Sequence, residues 1–554
     1  MTNASTRMPA QADAPATQRN PWLVLAVLAG AIFMLLLDTT IVNVAQVRIR
    51  EGLNADLSEI QWILDSYLLA FAVLLLTFGR LGDVFGRKRL FILGMAIFTA
   101  ASALCAVSGW IGDVTPIGGA TSLIIFRTLQ GVGGAFMMPQ TLSLITVAFP
   151  PERRGAAMGI WGGITALGAV FGPIIGGLIV TDYRWEWVFL INVPVGLIGI
   201  VAAMYIVPES RDPQATTKLD WGGILLSGAG IFAVVFALIE GNHYGWTSPL
   251  ILGLLTLGAA LIAAFIWWEL RVPDPMMKVE LFKLRNFWAG NVISGVMAFG
   301  MFGIFFPLTI FLQAILGYTP IRAGLAMTPM AVTIMFVAPI AGRLSDRIGS
   351  RWLLVVGLST AATGVAFLTT QISMGTSVWN LFPALVVTGL GMGMTFPPMT
   401  NATMREVPPR ISGSASGILN TVRNVGQVFG IAILGSALQS WAGSNTSDRL
   451  ANVAIDPAVK DQVADAAGDG RLELIPGLLP ADQSAQLPVV IDGVQRAFVD
   501  AMQSTFTISI VVVAAAAVTA LLIRNVVGSH TPETAEAAEE PIPVAEVATH
   551  PAGD

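Results

Sequence analysis

Three charged side chains lie inside apolar runs, where burial is expensive and charge marks a paired or working group. Asp38 sits in Leu37-Asp38-Thr39-Thr40-Ile41-Val42-Asn43-Val44-Ala45, Asp65 a few residues into the next apolar run, and Arg127 in Phe126-Arg127-Thr128-Leu129-Gln130. A buried carboxylate can hold a proton in one state and release it in another, because desolvation and a nearby cation act on it in opposite directions. Arg127 stays charged at any working pH, so its chemistry is to stabilise an ionised carboxylate until conformation or a ligand displaces it. All three fall roughly 8–11 Å below one surface, at ~1.5 Å per helical residue. They could form one buried network, or each could be a polar contact that fixes helix packing. Arg423, within Asn420-Thr421-Val422-Arg423-Asn424, is a fourth charge deep in an apolar run. It must face partners or a cavity. Asn43, Gln130, Asn420, Arg423 and Asn424 are the candidate cavity residues.

Membrane-spanning helices must position these groups. Apolar residues make up 54% of the 554-residue chain and charged ones 12%, about half the usual charged fraction of a soluble domain. About 20 apolar residues cross a bilayer core. That rule gives fourteen spans: 22–45, 60–79, 90–109, 120–140, 155–180, 187–206, 219–240, 249–270, 290–315, 322–341, 352–372, 378–399, 413–440 and 501–524. The single cysteine, Cys105, excludes a disulfide framework and a CxxC metal or redox site. No Gly-x-x-x-x-Gly-Lys-[Ser/Thr] phosphate loop occurs, which argues against an ATP-driven pump.

Six alternate loops, those after spans 2, 4, 6, 8, 10 and 12, hold 17 Lys and Arg, whereas the short loops opposite hold Arg48, Arg50, Arg184 and Arg322. The basic bias places the first set, and both termini, in the cytoplasm of a cell (plasma or inner) membrane. Residues 1–21 and 529–554 read as disordered tails. Segment 441–500, with nine acids against four bases, reads as an external loop that folds partly or not at all.

The loop after span 2, Gly79-Arg80-Leu81-Gly82-Asp83-Val84-Phe85-Gly86-Arg87-Lys88-Arg89, reappears after span 10 as Gly342-Arg343-Leu344-Ser345-Asp346-Arg347-Ile348-Gly349-Ser350-Arg351. Internal repetition in a polytopic chain points to a two-halved secondary transporter. A core of six plus six would put the second copy after span 8, so two helices, spans 7 and 8, are inserted. The expected fold is all-α: a bundle over 22–206, the inserted pair over 219–270, and a bundle over 290–524. Span 5 carries Gly168, Gly172, Pro173, Gly176 and Gly177, small residues that let helices approach closely around a bend-favouring proline.

These motifs resemble the major facilitator superfamily, and the inserted pair resembles its fourteen-spanner drug:proton antiporter branch. The resemblance covers most of residues 22–440. It implies a major facilitator fold that exports small molecules, lipophilic and often cationic, by alternating access. It implies Asp38 as a proton carrier with Arg127 as its tuner, and gives Asp65 no assigned role. It implies a cytoplasmic gate built on Gly79, Asp83, Gly86, Arg87, Lys88, Asp346 and Arg347, and an exporter's antiporter motif in span 5. The proton gradient would be the energy source, with no cofactor, no metal and no nucleic-acid partner. Lipid, substrate and protons would be the partners, with a monomer favoured and accessory proteins left open. A dedicated metabolite or lipid exporter, an importer, and a non-transporting receptor or scaffold that uses 441–500 remain open at this level. Glu186, where an arginine is common, and Ala45-Gln46-Val47, where Ala-Leu-Pro is usual, depart from the family pattern.

Overall fold

A computed structural model of the chain describes residues 20–55, 57–212, 219–273, 275–468 and 475–525. Apart from residues 20 and 21, the two expected tails lie outside them. No water reaches the core of a bilayer, so each spanning segment must satisfy its own backbone, and helices do so within one segment. Fourteen helices of 15 residues or more occur among the described residues. They are α1 (Pro21–Leu53), α2 (Leu57–Phe85), α3 (Arg87–Ala106), α4 (Gly119–Ala148), α5 (Pro151–Asp182), α6 (Asn192–Ile206), α7 (Trp221–Tyr244), α8 (Pro249–Glu269), α9 (Arg285–Ile310), α10 (Pro320–Ile348), α11 (Arg351–Gln371), α12 (Val378–Arg405), α13 (Ser412–Leu450) and α14 (Leu487–Ala520). Twelve of these stretches are long and apolar enough to cross a membrane over their described residues; α5 and α9 have the length as well.

Helices α1–α6 pack as one bundle, chiefly α2 and α3 on α4 and α1 on α5, and α9–α14 as a second, chiefly α10 and α11 on α12 and α9 on α13. The bundles meet along two related seams, α2 on α13 and α10 on α5. Both seams are lined by glycine. A Cβ at Gly79 would lie 2.8 Å from Gly413 O and from Gly417 Cα, and Gly155 and Gly342 press backbone on backbone. The inserted hairpin α7–α8 lies against α2, where Leu69 and Ala72 bury Ile231 and Val235. Trp246 Nε1 at the hairpin's tip donates to Ser436 Oγ of α13 at 2.6 Å.

The 441–500 segment is more ordered than its acidity suggests. Helix α13 runs on to Leu450, α14 begins at Leu487, and a further helix, Pro457–Gly468, packs between them. Val459, Val463, Ala466 and Ala467 share one face and meet Val490 and Val494 in a small apolar core. The polar composition hid an amphipathic period. In the second bundle, Met301, Phe305, Met330 and Met392 close around a cavity of only 20 Å³. Those Met and Phe side chains fill the bundle.

Candidate functional site

Asp38 and Arg127 meet. Arg127 Nη1 donates to Asp38 Oδ2 at 2.6 Å, and the pair is 0% and 1% exposed. Removing two charges from water is costly unless the remaining donors and acceptors are satisfied, and here both oxygens of Asp38 are. Asp38 Oδ1 accepts from Gln130 Nε2 at 2.8 Å and Asn192 Nδ2 at 2.7 Å. Arg127 also donates to Gln130 Oε1 at 2.7 Å and, through Nε, to the Ile63 carbonyl at 3.2 Å. Its guanidinium lies 4.2 Å from the Tyr67 ring centroid, a cation–π contact, and Tyr67 Oη accepts from Thr39 Oγ1 at 3.2 Å. Gln130 Nε2 reaches Ser102 Oγ at 2.7 Å. Helices α1, α2, α3, α4 and α6 thus converge on one carboxylate.

Gln130 belongs to this network, fully buried, and does not line a cavity as expected. It lies three residues after Arg127, hence on the same face of α4. Asn192, Ser102 and Tyr67 were missed. The available signal was a polar residue in an apolar run, which gives depth but not direction. Asp65 stands apart: it makes no hydrogen bond or ion pair among the described residues, and the charge acting on it is Glu240 of α7. It faces the inserted hairpin.

The remaining cavity candidates divide. Asn43 is exposed on α1, Arg423 and Asn424 are half-buried on α13, and Asn420 is buried. Arg423 Nη2 donates to Asn420 Oδ1 at 2.6 Å, and its guanidinium lies 5.7 Å from the Trp161 ring of α5. Asn43 Nδ2 donates to the Thr39 carbonyl at 2.9 Å and Asn424 Nδ2 to the Asn420 carbonyl at 2.8 Å, each within its own helix. A cavity of 960 Å³ lies elsewhere, among Asn54, Trp110, Asp113, Arg184 and Glu186 at the opposite end of the first bundle from Asp83.

At the repeated loops both seams are shut. Asp83 Oδ1 accepts from Arg87 Nη2 at 2.7 Å and from Gly413 N at 2.8 Å, while Oδ2 accepts from Ser414 N at 2.7 Å. The two amides open α13, where unpaired N–H groups favour an anion. Arg87 Nη2 continues across to the carbonyls of Pro409 and Arg410 at 2.9 and 2.8 Å. Gly86 holds φ +108°, which a side chain rarely adopts, and it turns Arg87 back onto Asp83.

The second copy is weaker. Asp346 Oδ1 accepts from Gly155 N in the first turn of α5 at 3.1 Å and from Asn401 Nδ2 at 3.0 Å. Ser350 occupies the place of Arg87. Arg347, expected in the gate, is exposed, because a residue next to Asp346 in a helix points elsewhere. Lys88 Nζ donates to the Met204 carbonyl at 2.6 Å, within its own bundle and not across the seam.

The span 5 glycines seat α5 on α1 and α10. A Cβ at Gly168 would lie 3.0 Å from Leu36 Cβ, one at Gly172 would collide with Thr40, one at Gly176 would lie 2.8 Å from Ile41 Cγ1, and one at Gly177 would collide with Ile321. Pro173 is within α5, its side chain outside the described residues. We expect Gly172→Val to lower stability by about 1–3 kcal/mol, read as a reduced unfolding temperature in detergent. Gly30→Ala, with nothing within 4 Å of its added Cβ, is the neutral control; equal losses would rule out close packing as the role of Gly172.

Comparison with known proteins follows the same outline. The family profile described as Major Facilitator Superfamily matches residues 28–431. The chain is 34% identical to an uncharacterized MFS-type transporter of Mycobacterium tuberculosis, over 95% of this chain and 84% of that protein. It is 34% identical to the tetracenomycin C resistance and export protein of Streptomyces glaucescens, over 97% and 96% of the two lengths. It is 31% identical to the multidrug transporter protein MdtP of Bacillus subtilis, over 91% and 93%. Among solved structures, the proton:xylose symporter XylE aligns with a TM-score of 0.55 over 89% of this chain and 94% of its own, at 14% identity, a likeness of fold alone. A profile match that runs from α1 into α13, joined to identity over nearly whole lengths, leaves one conclusion: the chain belongs to the Major Facilitator Superfamily, as a multi-pass membrane transporter and not an enzyme.

Proposed function

We propose that this transporter expels lipophilic, often cationic, small molecules of the antibiotic or multidrug class from the cytoplasm in exchange for protons. The observation that carries the coupling is the closed Asp38–Arg127–Gln130–Asn192 network. Three side chains from α4 and α6 donate to one carboxylate of α1. Protonation of Asp38 cancels the negative centre and leaves Arg127 with the Ile63 carbonyl, Gln130 and the Tyr67 ring. The packing of α1 on α4 and α6 then loses its strongest contact, and that is a means of biasing one access state over another. The substrate class is supported by the names of the relatives above, several of them resistance and export proteins.

In this reading the repeated loops and both termini lie in the cytoplasm of a cell membrane, as the basic-residue bias requires. The shut seams then make the structure the state closed to the cytoplasm. A substrate would sit near the midplane between the bundles, with Asn43, Arg423 and Asn424 as its candidate contacts. No cofactor enters the cycle, and a single chain suffices for it. The test uses the purified chain in vesicles with an imposed pH gradient and a panel of fluorescent lipophilic cations. Substrate should accumulate on the acidic side, and dissipating the gradient should abolish the flux. Flux that ignores the gradient would overturn proton coupling, and accumulation on the alkaline side would overturn export.

A further inference from the structure

The inserted hairpin brings two carboxylates together at the end that carries the Asp83 gate. Asp220 caps α7, and Glu269 is the last residue of α8. One oxygen of each is occupied. Asp220 Oδ1 accepts from Gly223 N at 2.8 Å and Trp268 Nε1 at 2.9 Å, and Glu269 Oε2 accepts from Met277 N at 2.9 Å. The other two oxygens, Asp220 Oδ2 and Glu269 Oε1, are shielded from solvent and accept nothing. They converge on one point: a Cβ added to Gly223 would collide with both. Glu269 is only 4% exposed.

No cation offsets the pair among the described residues. Arg271 lies over the Trp267 ring at 4.0 Å. The charged neighbours of Lys278 are Arg410, Arg80, Asp212 and Glu280. Lys218 and Asp274 lie outside the described residues. Two apposed buried anions are strongly disfavoured, whereas one proton between them makes a charge-assisted O–H···O bond that satisfies both orphaned oxygens at once.

We propose that Asp220 and Glu269 form a second proton site, separate from Asp38, whose shared proton braces the cytoplasmic gate. The connection is short. Glu269 holds Met277 N, the adjoining Met276 carbonyl accepts from Ser414 Oγ at 3.5 Å, and Ser414 N donates to Asp83. Met276 and Met277 are buried in the core that also holds Met404, Val407 and Ile411, so the linker from α8 to α9 is anchored beneath the gate. The sign follows from the pair. With the proton present, Glu269 is fixed and the linker is held. As pH rises and the proton leaves, the two anions repel, Glu269 turns away and Met277 N is released. An acidic cytoplasm would therefore steady the closed gate and an alkaline one would loosen it. That consequence rests on the orientation proposed above; the proton site does not.

Hydrogen exchange on the purified full-length chain tests it, with rates corrected for the intrinsic pH dependence of amide exchange. Amides over 275–284 should lose protection roughly tenfold in the wild type from the acidic to the alkaline side, the loss of one hydrogen bond to a charged group. Glu269→Gln and Asp220→Asn each supply a permanent N–H donor to the partner carboxylate, so protection should become independent of pH. A wild type without pH dependence, or an E269Q chain that keeps the wild-type dependence, overturns the proposal. Vesicle flux on the same preparation is a separate reading: an intact exchange response without export would overturn the export assignment alone.

Discussion

Replacing Asp38 with Asn should abolish gradient-driven transport while leaving a folded chain. Asn keeps the volume and one acceptor, so Asn192 and Gln130 can still be partly satisfied, but the charge is gone and Arg127 is left buried without its counter-ion. Removing one partner of a buried pair costs about 3–5 kcal/mol. That corresponds to a shift of about a hundredfold or more in whichever equilibrium the pair governs. The expected result is flux down at least that far under an imposed pH gradient, with the elution profile and helix content preserved. Arg127→Lys should fall between the two. Lys keeps a positive charge but cannot reach Asp38, Gln130 and the Ile63 carbonyl together, as the guanidinium does. Normal gradient-driven flux in the Asp38→Asn chain would remove Asp38 from the coupling mechanism.

The second large effect is an asymmetry between the two copies of the repeated loop. Asp83→Asn should destabilise the closed state far more than Asp346→Asn, although sequence presents the two aspartates as equivalents. Asp83 is fully buried, accepts from Arg87 and two amides of α13, and balances a buried guanidinium. An Asn there would turn an NH2 group toward a site built only of donors and leave Arg87 uncompensated, again about 3–5 kcal/mol. Asp346 is less buried and balances no paired guanidinium, and both of its hydrogen bonds fall on Oδ1, an acceptor that Asn keeps, so its loss is smaller, about 0.5–1.5 kcal/mol. Spin-label distances across each seam at the gate should shift strongly toward the open form in Asp83→Asn and little in Asp346→Asn. Equal shifts would show that the two seams share the load, contrary to the geometry.

These residues also show what a sequence of this kind discloses. Depth was legible: Asp38 and Arg127 lie at one level because each sits a countable distance from a helix end. Azimuth was not. In a spanning helix the lipid-facing and bundle-facing sides are both apolar, so the hydrophobic period that orients a surface helix of a soluble protein is faint. Asp65 could therefore be placed at the level of Asp38 but not seen to turn toward Glu240, and Gln130 could be taken for a cavity residue. Arg347 was misplaced by a different error: it adjoins Asp346 in sequence, and a helix turns adjacent side chains about 100° apart, so it is exposed while Ser350 stands where Arg87 does. The span count and the insertion of α7 and α8 were legible because they depend on length and on the repeat interval alone. The helix Pro457–Gly468 was not, since the nine acids of 441–500 outweighed a short apolar period that only its neighbours make useful.

The glycine-lined seams give the transporter a bearing. Where Gly79 runs against Gly413 and Gly417, and Gly155 against Gly342, backbone rests on backbone with no side chain between. Opening need not lift knobs out of holes, so dispersion and steric interference add little to the barrier. What latches the bearing is the small set of polar contacts around Asp83, Arg87 and Asp346. Lubricated joints of this kind have their play set by the latch and not by the sliding faces. The rate of opening should therefore be tunable by single polar substitutions at the rim, whereas bulk added to the glycine track would seize it.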